Sequence, residues 1–316
     1  MSMDTNVKMA GLAPFSLRDA PALIERVFPA QKIGIESQKE RKAGAGQTLT
    51  ALGSYWKGRK PLILVRATLL ASLLPATDDL VADLELFEAL MAMDKVAMSR
   101  RRPKVTATMV WHCPEVEAPW KAEHLVAALR DEEDGDDAER PVKGAAQWKR
   151  PKVAHLSASK RRAEKARIQV ERAAARETAF RSLTFAQQVG ICQRVENLED
   201  LGSEDDPFYA GIWDRVNTRL GTTARNLPDL VEQLGVARFG RRPVVGDPFC
   251  GGGSIPFEAA RVGCDVVASD LNPVAAMLTW AGLNIIGADE AVRARIANEQ
   301  RLVAHKVDKE IARLGI

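Results

Sequence analysis

Cysteine is scarce in this chain of 316 residues: four, at positions 113, 192, 250 and 264, with no two close together. That spacing argues against a disulfide framework or a zinc knuckle within the chain, and it points to a reducing, cytoplasmic setting. Charge of one sign is not in surplus either. Lysine and arginine number 45 against 42 acids, a net of +3, too small a balance to argue for nucleic acid by itself. No apolar run approaches the roughly 18 residues of a membrane span. The opening, MSMDTNVKMAGLAPF, has no continuous apolar stretch of the signal-peptide kind. No internal repeat is visible. What is present is apolar content of 46%, ample for one large domain or two of ordinary size.

Read along its length, the chain changes character near residue 243. Residues 1 to about 15 read as a loose leader. SLRDAPALIERVFP predicts a helix opened by Ser16, with Leu23, Ile24 and Val27 on one stripe. Residues 36–61 are polar, basic and glycine-rich, and read as loop. LILVRATLLASLLP is apolar on nearly all sides and predicts a buried helix that stops at Pro75. TDDLVADLELFEALMAMD predicts another, with Thr77 and its aspartates at the start. Val105 to Trp111 reads as a short β-prone run, and DEEDGDDAER as an acidic, solvated loop. From Ser157 to about Leu198 the chain is helical by propensity and dense in arginine and lysine. A solvated helix face is the simplest reading there, with phosphate contact as the other.

From Pro243 the pattern is α/β: strand PVVGD, loop PFCGGG, helix IPFEAARVG, strand DVVAS, helix NPVAAMLTWAGLNIIG. Ser254 is placed to cap the first helix, and Pro256 is tolerated in its first turn. A last amphipathic helix is predicted from about Glu290 to Leu314, with Val303, Val307, Ile311 and Leu314 on one side. The domain division expected is 1–110, 111–200 and 201–316.

Glycines at a strand-to-helix turn let a ligand approach the backbone closely. The loop lacks the Gly-x-Gly-x-x-Gly spacing of a nicotinamide site, and no Gly-Lys-Ser/Thr follows as in a phosphate loop. Instead the first strand ends in Asp247 and Gly251, Gly252 and Gly253 follow in a row. An acid at this edge suits a cationic ligand. S-adenosyl-L-methionine has an α-amino group and a sulfonium, and no phosphates. Asp247 is placed for its amino-acid end, the glycines leave room, and Asp270 at the tip of the second strand is placed for ribose hydroxyls. Phe249 and Leu271 would supply apolar walls. Pro248, Cys250 and Asn272 complete the candidate set, Cys250 as a small filler, because no histidine lies near enough in sequence to activate it. The alternative is a turn whose glycines serve packing alone, with Asp270 as a helix cap.

DPFCGGGSIPFEAARVGCDVVASDLNP closely resembles the cofactor motifs of amino-directed DNA methyltransferases. More narrowly, the chain resembles large anti-phage-associated proteins described as adenine-specific DNA methylases containing a zinc ribbon, which begin with a domain of unknown function. SLRDAPALIERVFPAQKIGIESQKE, GQTLTALGSYWKGRKPLILVRATLLASLLP and DPFYAGIWDRVNTRLGTTARNLPDLVEQLGVARFGRRPVVGD are similar to that family as well. The likeness covers most of the chain and is thinnest over about 115–185. It implies a Rossmann-like S-adenosylmethionine-dependent methyltransferase fold, its sheet incomplete in this chain, with a helical N-terminal and middle region. It implies a second cofactor element in Lys60, Pro61 and Leu64, preceded by Tyr55 and Trp56. An aromatic face there would cover the sulfonium or the adenine. The alternative is a proline-started core helix.

The same resemblance exposes a gap. Transfer to an exocyclic amine uses Asp/Asn-Pro-Pro-Tyr/Phe in this family, and the tetrapeptide does not occur here. The nearest stretch is Asp206, Pro207, Phe208 and Tyr209, which lacks a hydrophobic strand leading into it and reads mainly as a loop anchored by aromatics. The expectation is an N-terminal portion of a longer methyltransferase, with the catalytic motif and zinc ribbon supplied elsewhere. Its partners would be DNA and other phage-defence proteins, without a membrane. Arg41, Lys57, Arg59, Lys60 and the arginine-rich helix are the candidate DNA-backbone surface. His112 and Cys113 have no second pair and read as core or rim residues ahead of metal ligands, so no metal is expected. The competing readings are an RNA or protein methyltransferase and a non-catalytic cofactor- or nucleic-acid-binding defence subunit.

Overall fold

The computed structural model describes residues 19–43, 49, 58–101, 105–129, 141–197, 202, 209 and 211–315. The leader, Ser16, Tyr55, Trp56, Lys57, the acidic stretch 131–140 and Asp206, Pro207 and Phe208 lie outside them. The described chain is mostly helical, with two small two-stranded sheets, an α/β mixture without a larger sheet among these residues. It divides into two compact units, one from Met1–Asp94 with Arg194–Ile316, the other Lys95–Gln193.

The first unit is built around helix α3 (Leu62–Leu73), whose apolar residues are buried almost all round as the sequence predicts. Helices α1 (Leu23–Arg26), α2 (Ala30–Arg41), α11 (Leu227–Phe239) and α12 (Ser254–Arg261) pack against it. Helix α4 (Leu80–Leu90) follows, with Asp79 accepting from the Ala82 N–H as its cap. Helix α10 (Trp213–Leu220) ends at Gly221 in the left-handed conformation.

Two expectations near the N-terminus are corrected. Of the helix expected across 16–29, the described residues 19–29 are helical only over the four residues of α1. Ala22 is extended and bridges Pro75, and Val27 is extended again before Pro29 opens α2. Proline disfavours helical backbone in the residue before it, so Pro29 keeps Phe28 out of a helix and separates α1 from α2. Ile24 accordingly faces solvent. The loop expected from residue 36 begins later, because α2 runs on to Arg41. Its polar residues Glu36, Ser37 and Glu40 are buried, and Glu40 is tied to the next helix. Its Oε1 accepts from Leu62 N (2.9 Å) and its Oε2 from Ile63 N (3.1 Å). These are orphan donors at the start of α3, which its own N-cap, Pro61, has no side chain to satisfy.

Beyond α11 come strand β3 (Val244–Asp247), α12, strand β4 (Asp265–Ala268) and α13 (Pro273–Ala281), as expected. The strands are parallel, in register from Val244↔Asp265 to Asp247↔Ala268. Helix α12 packs on both strands. The surroundings are otherwise open: Val244, Val267, Val274, Met277 and Trp280 are exposed. Helix α13 continues into a π turn, Gly282–Ile286, and α14 (Glu290–Leu314) has the predicted length. None of its residues is buried, and Val303, Val307, Ile311 and Leu314 face solvent.

The second unit holds α5 (Lys95–Arg101), α6 (Ala107–His112), α7 (Ala118–His124), strands β1 (Leu125–Leu129) and β2 (Pro141–Trp148), α8 (Ala158–Arg181) and α9 (Phe185–Ile191). The β-prone run Val105–Trp111 is corrected to helix. Thr106 accepts from Met109 N as an N-cap, Ala107 and Val110 bury one turn apart, and Thr108 Oγ1 bonds both the N–H and the carbonyl of Ala146. A cap and an apolar i, i+3 pair outweigh β propensity in so short a segment. The strands instead are β1 and β2, antiparallel from Leu125↔Trp148 to Ala127↔Ala146. Among the described residues no helix is long and apolar enough to cross a membrane.

Candidate cofactor site

The loop between β3 and α12 sits at the carboxyl ends of two adjacent parallel strands. Asp247 closes β3. It is 9% exposed, and its Oδ1 accepts from Phe249 N at 3.2 Å, which folds the loop back over the strand end. Cys250 is buried and donates its N–H to the Ser269 carbonyl (3.0 Å). Asp270, two residues beyond β4, reaches across: Oδ2 accepts from Gly251 N (2.9 Å) and Oδ1 from Asn272 N (2.8 Å). These two backbone donors hold the Asp270 carboxyl below its ordinary range, Asn272 contributing first. Asn272 itself caps α13, its Oδ1 accepting from Val274 N (3.0 Å).

Glycine is required where the loop enters α12. Gly253 has φ +78, and a Cβ there would lie 2.9 Å from Thr279 Oγ1 and 3.1 Å from Thr279 Cα on α13. Gly253 is therefore the N-cap. Ser254, expected as the cap, is instead the first helical residue, and its buried Oγ makes no hydrogen bond among the described residues. Gly251 is also left-handed, and Gly252 is buried. Phe249 and Leu271 stand at the loop's rim, 77% and 93% exposed, with Pro248 exposed beside them.

Lys60 is exposed, Pro61 is buried as the N-cap of α3, and Leu64 is half-buried. Helix α3, which this segment starts, packs on α12, which the glycine loop starts. The contact is pinned by Arg66 Nε and Glu258 Oε1 at 2.6 Å, both 0% exposed. Glu258 also takes Arg261 Nη1 at 3.2 Å, and Arg66 Nη1 reaches the Val195 carbonyl at 3.5 Å. Burial alone would lower Arg66, but Glu258, with Tyr209 and Glu196, outweighs it and holds the guanidinium above its ordinary value. A lone charge, Arg66, inside a mostly apolar helix is the signal that sequence reading passed over, since such a charge needs a buried partner.

Tyr209 is core, 1% exposed. In the basic cluster Arg59 is paired with Glu40 (3.2 Å), whereas Arg41 and Lys60 are exposed. His112 bonds the Gly144 carbonyl (2.5 Å), and Cys113 is buried with Sγ 3.5 Å from Ser182 Oγ. Two clefts lie away from the glycine loop. One of about 600 Å³ is lined by Ala82, Leu86, Asp214, Arg215 and Arg219. The other, about 710 Å³, follows the turn from Val236 to Val244, at the opposite end of β3 from Asp247.

A model of the family described as "Protein of unknown function (DUF1156)" matches residues 27–102, which span α2 to α5. That match takes in Lys60, Pro61 and Arg66 and ends well before the glycine loop. No curated protein matches the chain. No solved structure matches it either.

Proposed function

We propose that this chain is the S-adenosyl-L-methionine-binding portion of an amino-directed, adenine-specific DNA methyltransferase of a phage-defence or restriction-modification system, with β3 and β4 the first strands of a Rossmann-like sheet. One observation carries the cofactor reading: a carboxylate at the tip of the second parallel strand, Asp270, holds the N–H of the first glycine of the loop after the first strand. Ligands of open α/β sheets bind at this end of the strands. The residues fit a sulfonium nucleoside. Each Asp270 oxygen accepts a single backbone N–H, so the carboxylate retains lone pairs for ribose hydroxyls. Its lowered pKa keeps it ionised. Asp247, Gly251, Gly252 and Gly253 would take the amino-acid end, and Phe249 and Leu271 would close over the base. The cofactor supplies an electrophilic methyl group; this chain's residues hold and orient it. Exposed apolar groups on β3, β4 and α13 are what a larger parallel sheet, covered on both faces, would bury. The Arg66–Glu258 pair supports a role for the Lys60–Pro61 segment beside the loop, because it ties the two helices those segments begin.

The second reading, a cofactor-binding defence subunit without transfer activity of its own, is favoured by the missing Asp-Pro-Pro-Tyr/Phe tetrapeptide and by the burial of Tyr209. Calorimetry with S-adenosylmethionine tests the shared premise. Asp270→Ala is expected to weaken binding by about 1.5–3 kcal/mol, through the lost acceptors and a loosened loop. Asp270→Asn, which keeps one acceptor oxygen, should fall between. Equal affinity of the alanine variant and the wild type would remove Asp270 from the site, and absence of binding by the wild type would end the methyl-donor reading. Methyl transfer to DNA by the purified chain alone would end the second.

A further inference from the structure

We propose that the strap 149–156 and the first turns of α8 form a docking face for the phosphate backbone of duplex DNA. This deepens the DNA reading above by assigning it a surface, and it is independent of the cofactor loop. The near-neutral whole conceals a segregation. Residues 95–193 carry 20 basic and 13 acidic residues, a net of +7, so the remainder of the chain is at −4. Within that unit, residues 149–165 hold seven basic residues and one acid, Glu164.

The structure shows how those charges are spent. The strap runs antiparallel along α8: Arg172 Nη2 donates to the Lys149 carbonyl (2.5 Å), and Arg161 Nη2 to the carbonyls of Ala154 (3.1 Å) and Leu156 (3.2 Å). From Arg167 onward the cations of α8 are neutralised or packed. Arg167 takes Glu164 (2.6 Å) and Glu171 (2.5 Å), and Arg181 takes Glu177 (2.6 Å). Arg172 and Arg176 lie over the Trp148 ring, at 5.1 and 4.6 Å from its centre. At the other end Arg150, Lys152, Lys160, Arg162 and Lys165 are exposed and make no ion pair among the described residues. The one acid among them is already engaged by Arg167. Helix geometry sets Arg161 and Lys165 on one face with Arg162 beside them, at the positive end of a 24-residue helix. Crowded, unneutralised cations suit a polyanion, whose condensed counterions they release as they neutralise its phosphates. A membrane surface fits less well: Ser159 to Arg167 offers no bulky apolar residue to enter a bilayer.

Fluorescence anisotropy with a labelled DNA duplex and the full chain, titrated with NaCl, tests the assignment. Lys152→Gln/Arg162→Gln/Lys165→Gln is expected to lose at least about tenfold in affinity near 0.1 M salt. The slope of log K on log[salt] should fall by about 2–3, from roughly 0.9 per phosphate contact. Arg181→Gln, removing a cation already paired with Glu177, should leave both unchanged. An unaltered slope in the triple variant, or binding to phosphatidylserine vesicles without binding to the duplex, overturns the proposal. Calorimetry with S-adenosylmethionine on the same triple variant separates the two readings. Unchanged cofactor affinity beside lost DNA affinity supports this surface. A wild type that binds the duplex with the expected slope but no cofactor strikes only the loop.

Discussion

Arg66 and Glu258 illustrate what a buried charge does in this protein. Removing both from water costs several kcal/mol per ion, which their attraction recovers only with good geometry, so the pair is better evidence for placement than for stability. What it fixes is the contact of α3 with α12. Nearby, Glu196 is a less settled case. It is 3% exposed, with Arg194 Nε at 3.2 Å. Burial, then the charge of Glu40, push its carboxyl up to about 7 from 4.5, with Glu36 adding to the effect. The sign follows from linkage. Below about pH 4.5 the side chain is protonated in both states and costs nothing extra. Between about 4.5 and 7 the unfolded chain has released a proton that the folded chain still holds, so stability falls as pH rises, and the full cost is present above about 7. Glu196→Gln removes the titration. Urea unfolding at pH 5 and pH 8 is expected to show the variant gaining on the wild type by about 1–3 kcal/mol between the two. Parallel pH profiles would mean that Glu196 is ionised in the fold.

At the level of elements, α3 depends on a cap supplied by its neighbour. Pro61 offers no side-chain acceptor, and Glu40 at the end of α2 serves the N–H groups of Leu62 and Ile63 while pairing with Arg59. Glu40→Ala strands buried donors and is expected to cost about 2 kcal/mol in chemical denaturation, with Glu40→Gln, which keeps one acceptor, costing less. A change within about 0.5 kcal/mol for alanine would mean that water takes over the cap. Nothing local announces such a cap. Glu40 and Leu62 are separated by a glycine-rich, polar stretch, and that composition is what made residues 36–41 read as loop. The strand–glycine–helix–strand segment was legible because its alternation and its turn residues agree, and with it came Asp247, Asp270 and the glycine run. Lys60 and Pro61 were legible only through resemblance. Arg66 and Glu258, 192 positions apart, were not legible, since each needs the other to make sense. Val105–Trp111 misled because a β-branched run was weighed without the threonine cap inside it.

For the whole molecule the governing fact is that charge is not evenly spread. The pI is ≈ 8.7, so near that pH a uniformly charged protein would have no preference for a cation exchanger. Here the second unit carries the positive excess and concentrates it on the strap and the start of α8, while the rest of the chain is net acidic. Local fields act over about a Debye length, roughly 10 Å at 0.1 M salt, so a patch is felt by a charged surface even when the total is zero. The chain is therefore expected to be retained on a sulfonate resin in low salt at its own pI. Lys152→Gln/Arg162→Gln/Lys165→Gln should elute at clearly lower salt when both are run at that pH. A control matched in net charge, Arg293→Gln/Arg295→Gln/Lys306→Gln on exposed α14, should elute close to the wild type, because those cations are interspersed with acids along the helix. If the two triple variants shift alike, retention follows total charge. If the wild type passes through unretained, the patch is too weak to steer a polyanion.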